Sequence, residues 1–372
     1  MVNKNEAVFV AGGTGMVGAA IIRKLLASGY TNISSNYRNR KPASGIPSSV
    51  TFLPLNLTHQ RETEQFFEST RPQHVYLAAA KVGGILANET YKAEFIYDNI
   101  MIASNVINAA YRFGAAKLLN LGSSCIYPKF ALQPMKEEYL LTGLLEPTNE
   151  AYAIAKIAAI KLCRYFNEQY GTNFLSAMPT NLYGPHDNFN LETAHVLPAL
   201  IRKFHLAKLL RAGDYQALRA DIQRCALGFG LDGKIELRDG SSIALALESA
   251  GVTRERVMLW GSGEPYREFL HVDDLATACV FMLERYNFND IGEFVNVGAG
   301  KDIPIKDLAL LIKEIVGFEG TLCHDTTKKD GTPKKLLDST RAKNLGWSPK
   351  IDLTDGIRQT YEWYTQQPEQ GK

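Results

Sequence analysis

The chain has no pair of cysteines at CxxC spacing. Its five, Cys125, Cys163, Cys225, Cys279 and Cys323, are odd in number and scattered. That pattern argues against a zinc site or a disulfide framework and for reduced thiols. No apolar run approaches the ~20 residues that span a bilayer. Residues 1–6 lead directly into a strand pattern and show no signal-peptide features. A soluble, cytoplasmic protein is expected. Neither charge sign dominates: 41 Lys and Arg face 39 Asp and Glu, a net charge of +2. This excludes the basic footprint of a nucleic-acid binder or a membrane-surface protein. The local pairs Lys328–Lys329 and Lys334–Lys335 suit one anionic ligand, not a polymer. Repeats and low-complexity tracts are absent. The 372 residues allow two domains, or one with an appendage.

Residues 7–11 form a continuous apolar run, as a central parallel strand requires. Gly12, Gly13, Thr14, Gly15, Met16, Val17 and Gly18 follow and open a helical pattern that ends near Gly29. Gly12 suits a tight turn, Gly15 the approach of a phosphate to the backbone, and Gly18 the packing of helix on strand. Free N–H groups at the helix start would bind pyrophosphate. A second strand covers 33–37. A fold binding NAD places an acid near its end. Here residues 36–41 contain none, but do contain Arg38, Arg40 and Lys41. That composition favours a 2′-phosphate, hence NADP(H).

Further strands are expected at 50–55, 74–79, 117–121 and 174–178. They alternate with helices at 58–70 (capped by Thr58), at 87–113 and at 151–170, the last opened by Asn149. Right-handed crossovers then give an α/β, Rossmann-type, doubly wound parallel sheet. This predicts a dinucleotide domain over 1–185 and a smaller C-terminal α/β substrate domain over 186–372. Strands from about 257–300 return in part to the first domain. Residues 208–256 read as an inserted subdomain with helical patterns at 217–227 and 244–250, and no catalytic pattern.

The fifth strand ends at Leu121-Gly122-Ser123-Ser124-Cys125. In open α/β sheets ligands collect at the carboxyl ends of strands. Tyr152 and Lys156 are four apart on one helical face. A phenol has pKa ~10 and exchanges protons poorly at neutrality. A neighbouring ammonium, with an oxidised nicotinamide nearby, lowers that value, so Tyr152 can give a proton to a carbonyl oxygen as hydride reaches the carbon. Ser123 would orient that oxygen. Tyr-x-x-x-Lys alone is a common accident. The glycine fingerprint upstream and Ser123 at the strand end give it weight. His271, beside Asp273 and Asp274, reads as structural, and no metal site is expected.

Six stretches together carry a resemblance: residues 79–85, 122–128 (Gly-Ser-Ser-Cys-Ile-Tyr-Pro), 146–150, 179–188 (Pro-Thr-Asn-Leu-Tyr-Gly-Pro-His-Asp-Asn), 260–263 and 330–333. The chain resembles the extended short-chain dehydrogenases/reductases of nucleotide-sugar metabolism, and more narrowly the GDP-L-fucose synthase family. The resemblance implies NADPH-dependent 3,5-epimerisation and 4-keto reduction of GDP-4-keto-6-deoxy-D-mannose. It matches Cys125 and His195 to the epimerisation pair, although His186 in the neighbouring loop competes for the second role. Leu121, Gly122, Ser123, Ser124, Lys156, Pro179, Thr180, Asn181, Leu182 and His195 would line the cofactor. Lys203 and Arg267 would hold the diphosphate, Trp260 the guanosine half, and Asp330 the same pocket. A homodimer through a four-helix bundle is also implied.

Two departures stand out. The family usually has a short link between the Lys203 helix and the Trp260 strand, and here it is about fifty residues long. Lys329 stands where a Pro is frequent. Two alternatives stay open. One is an epimerase/reductase for another GDP-4-keto sugar such as a 6-deoxy-heptose, and the other a non-catalytic NADP-binding sensor. A 4,6-dehydratase fits less well, because Ser124-Cys125 occupies the place of its acidic pair.

Overall fold

The computed structural model describes residues 3–39, 42, 47–328 and 330–367, with the side chain of residue 85 left out. Arg40, Lys41 and Lys329 lie outside the described residues. The first half alternates β1 (Val8–Ala11), α1 (Met16–Ala27), β2 (Ile33–Tyr37), β3 (Val50–Pro54), α2 (Gln60–Thr70) and β4 (His74–Leu77). It continues with α3 (Ile85–Thr90), α4 (Lys92–Arg112), β5 (Lys117–Leu121), α5 (Glu150–Tyr170) and β6 (Phe174–Pro179). Next come β7 (Asn181–Tyr183), α6 (Val196–Ala212), α7 (Tyr215–Arg224), α8 (Gly240–Ser249) and β8 (Arg256–Trp260). Then follow β9 (Tyr266–His271), α9 (Val272–Arg285), α10 (Phe288–Ile291), β10 (Val295–Val297), β11 (Asp302–Pro304) and α11 (Ile305–Val316). The chain closes with β12 (Thr321–Asp325), β13 (Lys334–Lys335), α12 (Thr340–Asn344) and α13 (Leu353–Thr365).

Seven strands pair in the order β10-β6-β5-β4-β1-β2-β3, all in parallel. The order reverses at β1, which is the switch point of a doubly wound sheet. Side chains of β1 alternate between two cores, as the strand period demands. Val8 and Val10 join Ile21 and Leu25 of α1 and Leu275 and Met282 of α9. Phe9 and Ala11 join Phe66, Phe67, Val106, Ile107 and Phe174 on the other face. Phe9 meets Phe66 and Phe67 with ring centroids at 4.5 and 5.6 Å.

A smaller sheet forms around β9, which pairs with β7, β11 and β13. Separately, β8 pairs with β12 in parallel. The segment between α6 and β8 has no separate core. Its Leu218, Ile222, Leu227, Ile243 and Leu247 join the buried cluster that holds Leu197, Phe204 and Phe318. The helix before it also runs past residue 208, to the left-handed Gly213.

Of two expected caps, one differs from the structure and the other holds in position only. The N-cap of α2 is His59. The Thr58 hydroxyl and N–H instead donate to Asn56 Oδ1 at 2.9 and 3.2 Å, closing a local turn. Asn149 does occupy the N-cap of α5, but its side chain caps nothing and its Oδ1 is buried without a hydrogen-bond partner.

Candidate active site

The glycine loop lies at the carboxyl end of β1. Gly12 is at φ 86, and a Cβ there would stand 2.9 Å from the Ala79 backbone. A Cβ on Gly18 would stand 2.2 Å from the Gly12 carbonyl, so helix and loop touch as closely as backbones can. Around Gly15 the nearest such contact is 3.4 Å, from the loop itself. Gly15 is also the N-cap of α1 and is exposed. An anion can therefore come onto this backbone. Thr14, Met16 and Val17 are half-buried around it.

The end of β2 explains part of the missing acid. Asn36 Oδ1 accepts from Gly12 N–H at 2.8 Å, and its amide donates to Leu55 O at 3.0 Å. Ser35 Oγ likewise accepts from Gly13 N–H at 3.0 Å. These side chains hold the loop, which leaves exposed Arg38 as the described cation at the strand's end.

Two strands along, β5 delivers the second group. Gly122 N–H donates to Ala177 O at 2.9 Å, and a Cβ there would fall 2.0 Å from Met178 Sδ. Ser123 then caps a short 3-10 turn, its Oγ accepting from Cys125 N–H at 3.4 Å. Ser124 and Cys125 are buried. The Lys156 ammonium donates to Leu121 O at 2.7 Å and lies 5.6 Å from the Tyr152 ring centroid. Phe95 of α4 meets the same ring edge-on at 6.4 Å.

Protonation follows from burial. Burial raises Tyr152, with a smaller push from Cys125. It lowers Lys156 to about 8. The Lys156 charge alone thus does not bring the phenol down in this environment. Burial also raises the Cys125 thiol, against the Ser123 hydrogen bond and the charges of Lys335 and Lys156, which lower it.

His195 is the N-cap of α6 and reaches solvent, yet the surrounding protein and then Lys335 lower its pKa. The loop carrying it is fastened to the start of α3 by Gly84 N–H donating to Thr193 O at 2.9 Å. His186, the competitor, instead packs on Trp363 at 4.9 Å. Cofactor-side residues follow β6. Thr180 N–H donates to Val297 O at 3.2 Å, and the Thr180 hydroxyl and Asn181 amide donate to Glu268 O at 3.3 and 2.8 Å. Pro179 ends β6, and Leu182 continues into β7.

The nucleotide-side residues form a third group. Lys203 is buried, lowered to about 8, donates to Met258 O at 3.0 Å and lies 5.5 Å from the Trp260 ring. Burial lowers Arg267, whose guanidinium donates to Tyr266 O and Thr332 O at 2.7 and 2.6 Å. Asp330 braces the turn beyond Trp260: its carboxylate accepts from Ser262 N–H and Oγ at 2.9 and 2.7 Å.

Sequence reasoning missed two residues and the role of a third. Lys335, read only as half of a basic pair suited to an anion, pairs in register with Arg267 and interacts with both Cys125 and His195. Its place beside Cys125 depends on β13 pairing with β9, which no local pattern announces. Asp187 has a carboxyl oxygen buried without a hydrogen-bond partner and is pushed up to about 7 by burial. Phe229 packs on Trp260 from the long link. Its flanking glycines were the available signal. No group of three His, Cys, Asp or Glu among the described residues could hold a metal.

Known proteins resemble this chain in sequence and fold. The NAD dependent epimerase/dehydratase family profile matches residues 8–220 and 214–298. GDP-L-fucose synthase 1 of Arabidopsis thaliana is 49% identical over 364 residues, 98% of this chain and 94% of that protein. The GDP-L-fucose synthase of Escherichia coli is 45% identical, with 96% of each chain covered. A solved GDP-6-OMe-4-keto-L-xylo-heptose reductase from C. jejuni superposes with a TM-score of 0.87 at 36% identity, covering 98% of both chains. The fold, the strand-end cluster and these likenesses agree: the chain belongs to the NAD dependent epimerase/dehydratase family and, within it, to the GDP-L-fucose synthases.

Proposed function

We propose that the protein converts GDP-4-keto-6-deoxy-D-mannose to GDP-L-fucose by 3,5-epimerisation and 4-keto reduction, with NADP(H) as cofactor. One observation carries the reading. The charges of Lys156 and Lys335 both act on Cys125, Cys125 acts on Tyr152, and Lys335 acts on His195 as well. This coupling supports a reading in which a reductase set and an acid–base pair serve one sugar ring.

In this reading the 4-keto group acidifies the C3 and C5 protons. The Cys125 thiolate removes a proton from one face, and His195 returns one to the other. The Ser123 hydroxyl donates to O4 and stabilises the enolate. At reduction Tyr152 gives its proton to O4, and Lys156 then supports the phenolate. NADPH, when bound, supplies the hydride that arrives at C4. The glycine loop, open at Gly15, and Arg38 fit a dinucleotide with a 2′-phosphate. A GDP-L-fucose synthetase from Naegleria fowleri, 26% identical with a TM-score of 0.73, has been solved bound to NADP. Lys203 and Arg267 suit a diphosphate.

A homodimer through α4 and α5 is part of the proposal. The two helices run side by side, Phe95 on Tyr152 at one end and Tyr111 on Tyr170 at the other. They leave Tyr97, Ile154 and Tyr165 exposed, an apolar face that a second copy would cover. No helix among the described residues is long and apolar enough to cross a membrane. The free thiols suit a cytoplasmic setting.

The heptose reductase likeness supports a second reading, in which the same chemistry acts on a GDP-4-keto-heptose. Product identification by NMR after incubation with the deoxymannose substrate and NADPH separates them. GDP-L-fucose is the expected product. Turnover of a GDP-keto-heptose alone would favour the second reading, and no cofactor oxidation with either sugar would favour a sensor.

A further inference from the structure

The long link between α6 and β8 reaches the site at Phe229, whose ring centroid lies 5.9 Å from that of Trp260 at an interplanar angle of 62°. Its backbone is at φ 57, a region bulky residues rarely enter. Gly228 and Gly230 on either side are at φ 86 and 65. Three left-handed residues in a row aim this ring. The turn is also held firmly. Leu227 and Gly228 N–H donate to the Asp232 carboxylate at 2.7 and 2.9 Å, and Phe229 N–H donates to Glu192 Oε2 at 2.6 Å. A strained residue that its surroundings hold in place points to function.

What the turn presents is a receptor. Trp260 stays 44% exposed although Phe229, Lys203 and Lys328 adjoin it. Both lysine ammonium groups lie 5.5 Å from its ring centroid. Lys203 is the buried one, and the charge of the diphosphate candidate Arg267 interacts with Asp330, which braces the turn after Trp260. An open aromatic corner beside fixed cations suits a planar base joined to a diphosphate.

We propose that Phe229 is a specificity-determining residue for the nucleotide: with Trp260 it walls the site of the purine base, so that the long link completes the substrate pocket. The proposal rests on the GDP-sugar reading above. The Phe229 turn is tied through Glu192 to the loop that ends at His195, so base and catalytic acid share one support.

The test is calorimetric titration of the full-length wild type, Phe229→Ala, Phe229→Leu and Phe229→Tyr with GDP and with UDP. Wild type is expected to prefer GDP. Phe229→Ala should weaken GDP about tenfold, Phe229→Leu by several-fold, and Phe229→Tyr should stay within twofold. NADPH affinity and kcat should hold while KM for the sugar nucleotide rises. Phe229→Leu keeps apolar volume and so reports even if the alanine variant is unstable. GDP affinity within twofold of wild type in a folded Phe229→Leu or Phe229→Ala protein overturns the role of Phe229. A wild type that binds UDP as well as GDP overturns the guanosine reading instead, and the same variants then test Phe229 with uridine.

Discussion

The Lys156 ammonium donates a 2.7 Å hydrogen bond to the carbonyl of Leu121, tying α5 to the last residue of β5. The bond fixes a charge in a place where burial disfavours it. Burial brings Lys156 from 10.5 to about 8, whereas the unfolded chain titrates at the ordinary lysine value. Between those values the unfolded state holds more proton, so stability rises with pH. Below about pH 8 both states are charged and the full penalty stands, on the order of 3 kcal/mol. Urea titrations of wild type and Lys156→Met should therefore show wild type gaining on the variant from pH 8 toward pH 10. A pH-independent difference would contradict the shifted lysine. The variant should also lose reduction.

Ser123, Tyr152 and Lys156 are assigned to reduction, and Cys125 and His195 to epimerisation, around one ring. The two tasks should separate. Tyr152→Phe is expected to slow NADPH oxidation by about 10²–10⁴-fold, the usual worth of a general acid. Deuterium exchange from solvent into C3 and C5 should continue within a few-fold. Cys125→Ser should suppress exchange by a similar factor. NMR of the recovered sugar nucleotide measures both. Loss of exchange in Tyr152→Phe would show that the phenol serves both steps.

Lys335 acts on both members of the proposed epimerisation pair, Cys125 and His195. Its charge lowers the Cys125 thiol, against burial, and adds to burial in lowering His195. Cys125 also faces Ser123, Tyr152 and Lys156, which remain when Lys335 is changed. Exchange rises as the thiol ionises and falls as the imidazolium is lost. Lys335→Met raises both pKa values, so the whole exchange profile should move to higher pH. Conversion to Arg keeps the charge and should leave it near its wild-type position. An unmoved profile in Lys335→Met would show that the lysine serves only to bind substrate.

Local pattern carried much of this structure. The apolar run at β1, the glycine loop and the strand–helix alternation follow from short-range sequence, and the sheet follows from them. Tyr152 and Lys156 share a helical face for the same reason. Pairings distant in sequence were not legible. Lys335 meets the site through β13 beside β9, from about two hundred residues beyond Cys125. Phe229 reaches Trp260 only because Glu192 and Asp232 hold a left-handed turn. Burial, which local pattern does not report, outweighs the single neighbouring charge at Tyr152.

The long link was expected to be a subdomain, and its anchoring tests how independent it is. Arg202 of α6 and Asp221 of α7 are both buried, and their side chains bond at 3.0 Å. Arg202 also donates to the carbonyls of Phe189, Ala226 and Cys225. The second Asp221 oxygen accepts from Arg224 at 2.9 Å and from the Tyr364 hydroxyl of α13. One carboxylate thus joins the link, the helix before it and the last helix of the chain. Its removal leaves a guanidinium in the core with only carbonyl and sulfur partners. Breaking a buried pair in this way costs about 3–5 kcal/mol. Asp221→Ala should lower the midpoint of urea unfolding accordingly, in a single transition with loss of sugar-nucleotide binding. Replacing both partners, as Arg202→Met with Asp221→Leu, removes the stranded charge and should recover much of the loss. An Asp221→Ala protein that instead unfolds in two steps, the link first, would mark the segment as a separate folding unit.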